Sequence, residues 1–211
     1  MASTRKALRL AEYTCARLCH ELSGLIGSLD GALEMLLETL PADNEPLDLA
    51  RGAAADAIQR LKLLRAAWGP EGEALSVPAI ERLAGGLPGA RRLAIRFIGV
   101  PQDTVFEPPI ARMVLNLLLL AGDSLPAGGE IVVTGSPSDL FLGIAGPGAA
   151  WPVGLALCLA DEAAAFDGLR DARTIQMPLT VLLARGLGLR LSLLMTPDSR
   201  GGVPPLRLTG D

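Results

Sequence analysis

Residues 8–36, LRLAEYTCARLCHELSGLIGSLDGALEML, carry an apolar side chain at every seventh position. Leu8, Cys15, Leu22, Leu29 and Leu36 form one row, and Ala11, Leu18, Leu25 and Ala32 form a second row three residues later. Rows offset by three and four residues draw a single stripe down an α-helix. Turn chemistry follows between Pro41 and Pro46. A second run places Leu47, Ala50, Ala54, Ala57, Leu61, Leu64 and Trp68 at alternating spacings of three and four, which predicts a second helix. Helices joined by so short a connection pack antiparallel. Ile26, Leu33, Leu37, Leu40, Ile58 and Leu63 widen the stripes beyond what one hairpin covers, so two copies are expected to close a dimeric four-helix bundle.

After Gly69-Pro70-Glu71-Gly72-Glu73 the period changes, which predicts a boundary between residues 1–70 and residues 71–211. Ser76 is placed to cap a short helix running to Leu87. Residues 93–100, 131–135 and 140–145 read as strands around a helix over 109–121. A helix over 178–186 and strands over 189–195 and 206–208 complete the second region, while 151–173 show no clear period. The fold class this predicts is α+β: an N-terminal antiparallel helical hairpin followed by an α/β sandwich.

Composition narrows the function. Half of the 211 residues are hydrophobic but only 3% are aromatic, so the core must be built from aliphatic side chains. A net charge of -4 provides no extended basic surface and argues against nucleic acid or an anionic membrane as the main partner. The longest apolar run, 113–121, is interrupted by Asn116 and is too short to span a bilayer. Three cysteines, Cys15, Cys19 and Cys158, make no paired framework, which fits a reducing cytoplasmic setting.

The chain has a single histidine, His20. It falls five positions after Cys15, on the side of the first helix that points away from the apolar seam. Ser23, Gly24, Gly27 and Gly31 follow on that face; a glycine inside a helix costs about 1 kcal/mol relative to alanine, so the row needs a reason. An imidazole above a floor of small residues is accessible to another protein carrying a reactive carboxyl phosphate. The neutral ring is a good nucleophile near neutral pH, and the phosphoramidate it forms stays reactive enough to donate onward. Glu21 is placed to orient the ring or take its proton, and Arg17, one turn earlier, to meet the phosphoryl group or the partner. Three bland alternatives stand beside this reading: a solvated histidine with glycines serving close helix packing, a metal site using Cys15, Cys19 and His20, and a non-catalytic dimeric adaptor.

The segment Leu18-Cys19-His20-Glu21-Leu22, with Leu25-Ile26 after it, resembles the histidine box of two-component histidine kinases. The second region is similar in element order to their ATP-binding domain. Asn116-Leu117-Leu118-Leu119-Leu120-Ala121-Gly122-Asp123-Ser124 stands where the asparagine box would be, and Gly146-Pro147-Gly148 where the first glycine box would be. Leu120 takes the place of the magnesium-binding asparagine and Ile144 that of the adenine-reading aspartate, and neither side chain can bind a cation or accept a hydrogen bond. Arg185-Gly186-Leu187-Gly188 carries no phosphate-cradling pattern, which leaves an atypical kinase as the rival reading. A kinase layout with a retained histidine and a degenerate nucleotide site resembles the ChpT family of histidine phosphotransferases. That resemblance implies a homodimer that takes phosphoryl from the receiver domain of a hybrid histidine kinase onto His20 and passes it to response regulators. It also implies that this chain binds no cofactor of its own, the magnesium belonging to the receiver.

Overall fold

The computed structural model describes residues 45–70, 72–169, 174–194 and 202–210, together with Leu8, Cys15, Cys19, Ser23, Ile26, Gly27, residues 29–31 and residues 33–35. Every described residue between 8 and 35 is helical. Helix α1 (Glu45–Trp68) follows, as the alternating spacing of its apolar residues requires, with Arg65 in the last turn where a cation suits the helix dipole. The N-terminal segment touches α1 through an ion pair of 3.4 Å between Glu34 Oε1 and Arg51 Nη2. Leu8, Cys19 and Leu33 are buried.

The remaining elements are β1 (Leu75–Ser76), α2 (Val77–Ala84), β2 (Leu93–Ile98), β3 (Val105–Phe106), α3 (Pro108–Asp123), β4 (Gly129–Ser136), β5 (Asp139–Ala145), α4 (Leu155–Ala160), α5 (Glu162–Asp167), α6 (Gln176–Gly186), β6 (Leu189–Leu193) and β7 (Leu206–Gly210). Ser76 does sit at the N-cap of α2, but its side chain makes no cap bond and the helix ends at Ala84, before Leu87. Strands β1 and β3 form a small antiparallel pair. The other five make one mixed sheet in the order β2-β4-β5-β7-β6, parallel only between β2 and β4.

Period-two alternation gives this sheet two unlike faces. Ile131, Val133, Leu140, Leu142, Ile144, Leu206 and Leu208 point into the core shared with α3 and α6. The opposite face is polar: Arg96 Nε meets Glu130 Oε1 at 2.8 Å. On the same face Arg207 donates to both carboxylate oxygens of Asp139 at 2.8 and 2.9 Å, with its guanidinium 5.5 Å from the centre of the Phe141 ring. The turn into β4 requires glycine: Gly128 has φ +83°, and a Cβ there would meet Arg92 O at 2.5 Å.

Two further features differ from the pattern read off the sequence. Residues 151–169, which had no clear period, hold two short helices, α4 and α5. Trp151 Nε1 ties the start of this stretch to Pro204 O at 2.7 Å, and Asp161 caps α5 by accepting from Ala163 N at 2.9 Å. Leu63 was expected on the uncovered stripe of the hairpin, yet it is fully buried. Its helix turn packs against α3, and Leu63 and Ala67 join the same core as the sheet.

Candidate functional site

The local geometry of the first segment is partly on view. Arg17, His20, Glu21 and Gly24 lie outside the described residues, whereas Ser23, Gly27 and Gly31 are described, helical and exposed. Ser23 Oγ donates to Cys19 O at 2.7 Å, one turn back along the helix, so its side chain lies down on the backbone. A Cβ built at Gly27 or Gly31 would meet no described atom within 4 Å. These glycines are therefore not required by close packing against any described part of this chain, and their cost to the helix is offset elsewhere.

Both cysteines of the segment face inward. Cys19 is buried, and burial pushes its thiol pKa up while the positive charge of Arg65 pulls it the other way. Burial also raises the Cys15 thiol, with Cys19 adding to the effect. Cys15 lines an apolar cavity of about 120 Å³ with Leu8, Ala67, Trp68, Phe166 and Leu182. Among the described residues no group of His, Cys, Asp and Glu is placed to hold a metal ion. None of the described helices is long and apolar enough to cross a membrane.

The positions that resemble kinase nucleotide boxes are filled by core. Leu120 is fully buried and Ile144 nearly so, both within the aliphatic layer between α3 and the sheet. Gly146 is held against the backbone, since a Cβ there would meet Gly128 O at 2.6 Å, and Gly148 has φ +70°. Both are thus turn residues. Gly188, with φ +72°, follows the end of α6, and Arg185 Nη2 donates to Leu159 O at 2.6 Å.

Asn116 does something the sequence did not reveal. Fully buried on α3, it donates from Nδ2 to Ala67 O at 2.7 Å and to Arg112 O at 2.9 Å. Its Oδ1 and its backbone carbonyl both lie 3.2 Å from Gln176 Nε2, which also donates to Thr180 Oγ1 at 2.9 Å. Arg112 reaches the same helix end, from Nε to Ala67 O at 3.2 Å and from Nη2 to Trp68 O at 3.3 Å. The last carbonyls of α1 have no helical partner and would be costly to bury bare. The Arg112–Asn116 pair satisfies them and supplies positive charge at the negative end of the helix dipole. The available sequence signal was two polar residues four apart on an otherwise aliphatic helix. At the far end of α3, burial raises the Asp123 carboxyl pKa, with Arg60 acting against it.

Comparison with known proteins adds to this geometry. The family described as histidine phosphotransferase C-terminal domain matches residues 77–199. The protein phosphotransferase ChpT of Brucella abortus (strain 2308) is 29% identical over 198 residues, covering 92% of this chain and 94% of that protein. A solved structure of a bacterial phosphotransferase superimposes with a TM-score of 0.63 at 19% identity, over 96% of this chain and 94% of that one, which establishes the shared fold.

Proposed function

The chain belongs to the histidine phosphotransferase family and serves a phosphorelay, and from that premise we propose that His20 is the residue that carries the phosphoryl group. One observation carries the assignment: the chain has one histidine, so a phosphohistidine on this chain can form nowhere else. The exposed floor of Ser23, Gly27 and Gly31 supports it, because those residues leave room for a partner and no described atom needs them small.

In the proposed reaction the neutral imidazole attacks phosphorus in line. The bond from phosphorus to the receiver's aspartate oxygen breaks as a phosphorus–nitrogen bond forms, and the carboxylate leaves. Glu21 takes the proton released from the ring or holds its tautomer, and Arg17 meets the phosphoryl oxygens or the partner. Magnesium held by the receiver would neutralise the transferring charge, and this chain brings a nucleophile and a docking surface. Transfer to a response regulator reverses the same steps.

We read residues 1–70 as an antiparallel hairpin that dimerises. The Glu34–Arg51 ion pair and the proximity of Cys19 to Arg65 support antiparallel contact, since the partner number falls along α1 as it rises along the first segment. Leu29, on the seam row, is 53% exposed in the single chain, and Met35 is 71% exposed, which a second copy would cover. Residues 71–211 act as a kinase-like scaffold that does not use ATP, a reading supported by aliphatic Leu120 and Ile144 at positions where nucleotide chemistry needs polar atoms. The three free cysteines fit a cytoplasmic setting.

The test incubates the purified chain with radiolabelled ATP and magnesium, and separately with phosphorylated receiver domains. Acid-labile label is followed on the wild type and on His20→Gln. Label from receivers alone, lost in the variant, is the expected result. Label on His20→Gln would remove His20 as the carrier, and label from ATP would make the protein a kinase.

A further inference from the structure

Charge in this chain is distributed unevenly. Acids outnumber bases by 23 to 19, and most described arginines have a partner. Arg51, Arg91, Arg96 and Arg207 each pair with a carboxylate. Arg60 and Arg185 donate to backbone carbonyls. Arg92 and Arg190 lack a carboxylate partner among the described residues, and so do Lys62, Arg65 and Arg82, but these last three gather at one place. All three are exposed.

These three side chains line one cleft of about 590 Å³ between α1 and α2, which Gln59, Glu73 and the half-buried Leu75 also border. Lys62 and Arg65 lie three residues apart and therefore on one side of α1. Arg82 faces them from the last turn of α2. The buried Arg112 adds a fourth cation, the third guanidinium, at the base of the cleft, and Glu73 is the single carboxylate among its described lining residues. The helix dipole accounts for a cation near the end of α1 or of α2, but not for Lys62 or for the convergence of cations from two helices. Like charges gathered around a cleft repel one another and focus a positive potential that attracts an anion.

The cleft also has a position relative to the relay. Arg65 is near enough to Cys19 for its charge to act on that thiol, and Cys19 precedes His20 in the chain. Any partner that trades a phosphoryl group with this protein must present an acyl phosphate beside metal-binding carboxylates, a strongly anionic surface. We infer that the Lys62–Arg65–Arg82 cleft is an electrostatic docking surface for the acidic rim of the partner receiver domain. This inference rests on the relay reading above. The cleft attracts and orients the partner without taking part in bond making. Steering of this kind speeds encounter by roughly 10 to 1000 fold and weakens as salt rises.

The test measures transfer from a phosphorylated receiver to the full chain over a range of receiver concentrations, at low and at physiological salt. Wild type is compared with Lys62→Glu, Arg82→Glu and the triple charge reversal, with His20→Gln as the blank. The triple variant is expected to need about tenfold more receiver for half-maximal rate and to lose most of its salt dependence, while its rate at saturation stays within about twofold. Each single reversal gives a smaller shift of the same kind, and Lys62→Arg behaves as wild type. An unchanged half-saturating concentration would overturn the docking role, as would a loss of saturating rate alone. Protection by inorganic phosphate, with receiver saturation unmoved, would make the cleft a small-anion site instead. If the wild type accepts no phosphoryl from any receiver, the relay reading has failed, which is a different outcome.

Discussion

Asn116→Ala tests how the end of α1 is joined to the second region. The change removes two donated bonds, to Ala67 O at 2.7 Å and to Arg112 O at 2.9 Å, and takes one acceptor from Gln176. Each buried bond contributes about 1 kcal/mol net. Ala67 O keeps the Arg112 Nε contact at 3.2 Å, and Gln176 keeps Thr180 Oγ1, so neither is left bare. Loss of a fully buried side chain adds a small void. The expected total is about 2–3 kcal/mol, which for a chain of this length lowers Tm by roughly 4–12 °C. The assay is urea unfolding followed by circular dichroism, where the midpoint should drop with little change in slope. A double-mutant cycle with Gln176→Ala should show coupling of at least about 0.5 kcal/mol, as expected of side chains in one network. A loss below about 0.5 kcal/mol, the size of an ordinary surface substitution, would refute the claim that this amide holds the helix end.

Four further outcomes follow from particular residues. Gly27→Ala should stabilise the first helix by up to about 1 kcal/mol because no described atom opposes the new methyl, whereas Gly27→Leu should slow phosphoryl exchange with a receiver; equal rates for both and for wild type would remove Gly27 from the docking floor. Gly128→Ala should cost about 2 kcal/mol or more by thermal melt, since φ +83° is strained for alanine and the methyl meets Arg92 O. Hydrogen bonds from Arg207 hold the Asp139 carboxyl below its usual pKa, so its contribution to stability is present above the unfolded value near 3.9 and is lost as pH falls through the lower folded value. Asp139→Asn should accordingly be the less stable protein at neutral pH, with the gap to wild type closing in acid; a gap constant down to pH 2 would contradict the pairing. Leu120→Asn should destabilise the fold by about 3 kcal/mol through a buried amide, and magnesium with ATP should raise the melting temperature of neither variant nor wild type; a nucleotide-dependent shift would reverse the reading of that helix.

The sequence was most legible where burial follows one simple period. The helix expected over 109–121 is found at Pro108–Asp123, and the strand expected over 140–145 at Asp139–Ala145, because each shows one fixed pattern against a single core. Residues 151–169 defeated that method because their helices are each six residues long, too short to display a period, and are placed by a tryptophan bond and a cap. The site divided in the same way. The proposed group of His20 and its row of small residues stands close together in the chain, so helical periodicity alone suggests it, and His20 itself lies outside the described residues. Lys62, Arg65 and Arg82 are brought to one cleft by the turn between α1 and α2, a tertiary event with no local signature. Asn116 was noticed as a break in an apolar run and as a position in a kinase-like motif, but not as a bridge, because its partners Ala67 and Gln176 are 49 and 60 residues away.

That polar network bears on what the second region does for α1. Leu120 and Ile144, at positions where nucleotide chemistry would need polar atoms, lie in the aliphatic core and contribute to its packing. Asn116, one turn before Leu120, is a polar side chain inside that core, and its amide meets the Ala67 carbonyl at the end of α1. That carbonyl is buried because Leu63 and Ala67 pack into the core beside α3. If α3 were lost, α1 would lose the cover over its last two turns as well as the donors at its end. The second region is therefore a physical condition for an ordered helix next to the segment that carries His20.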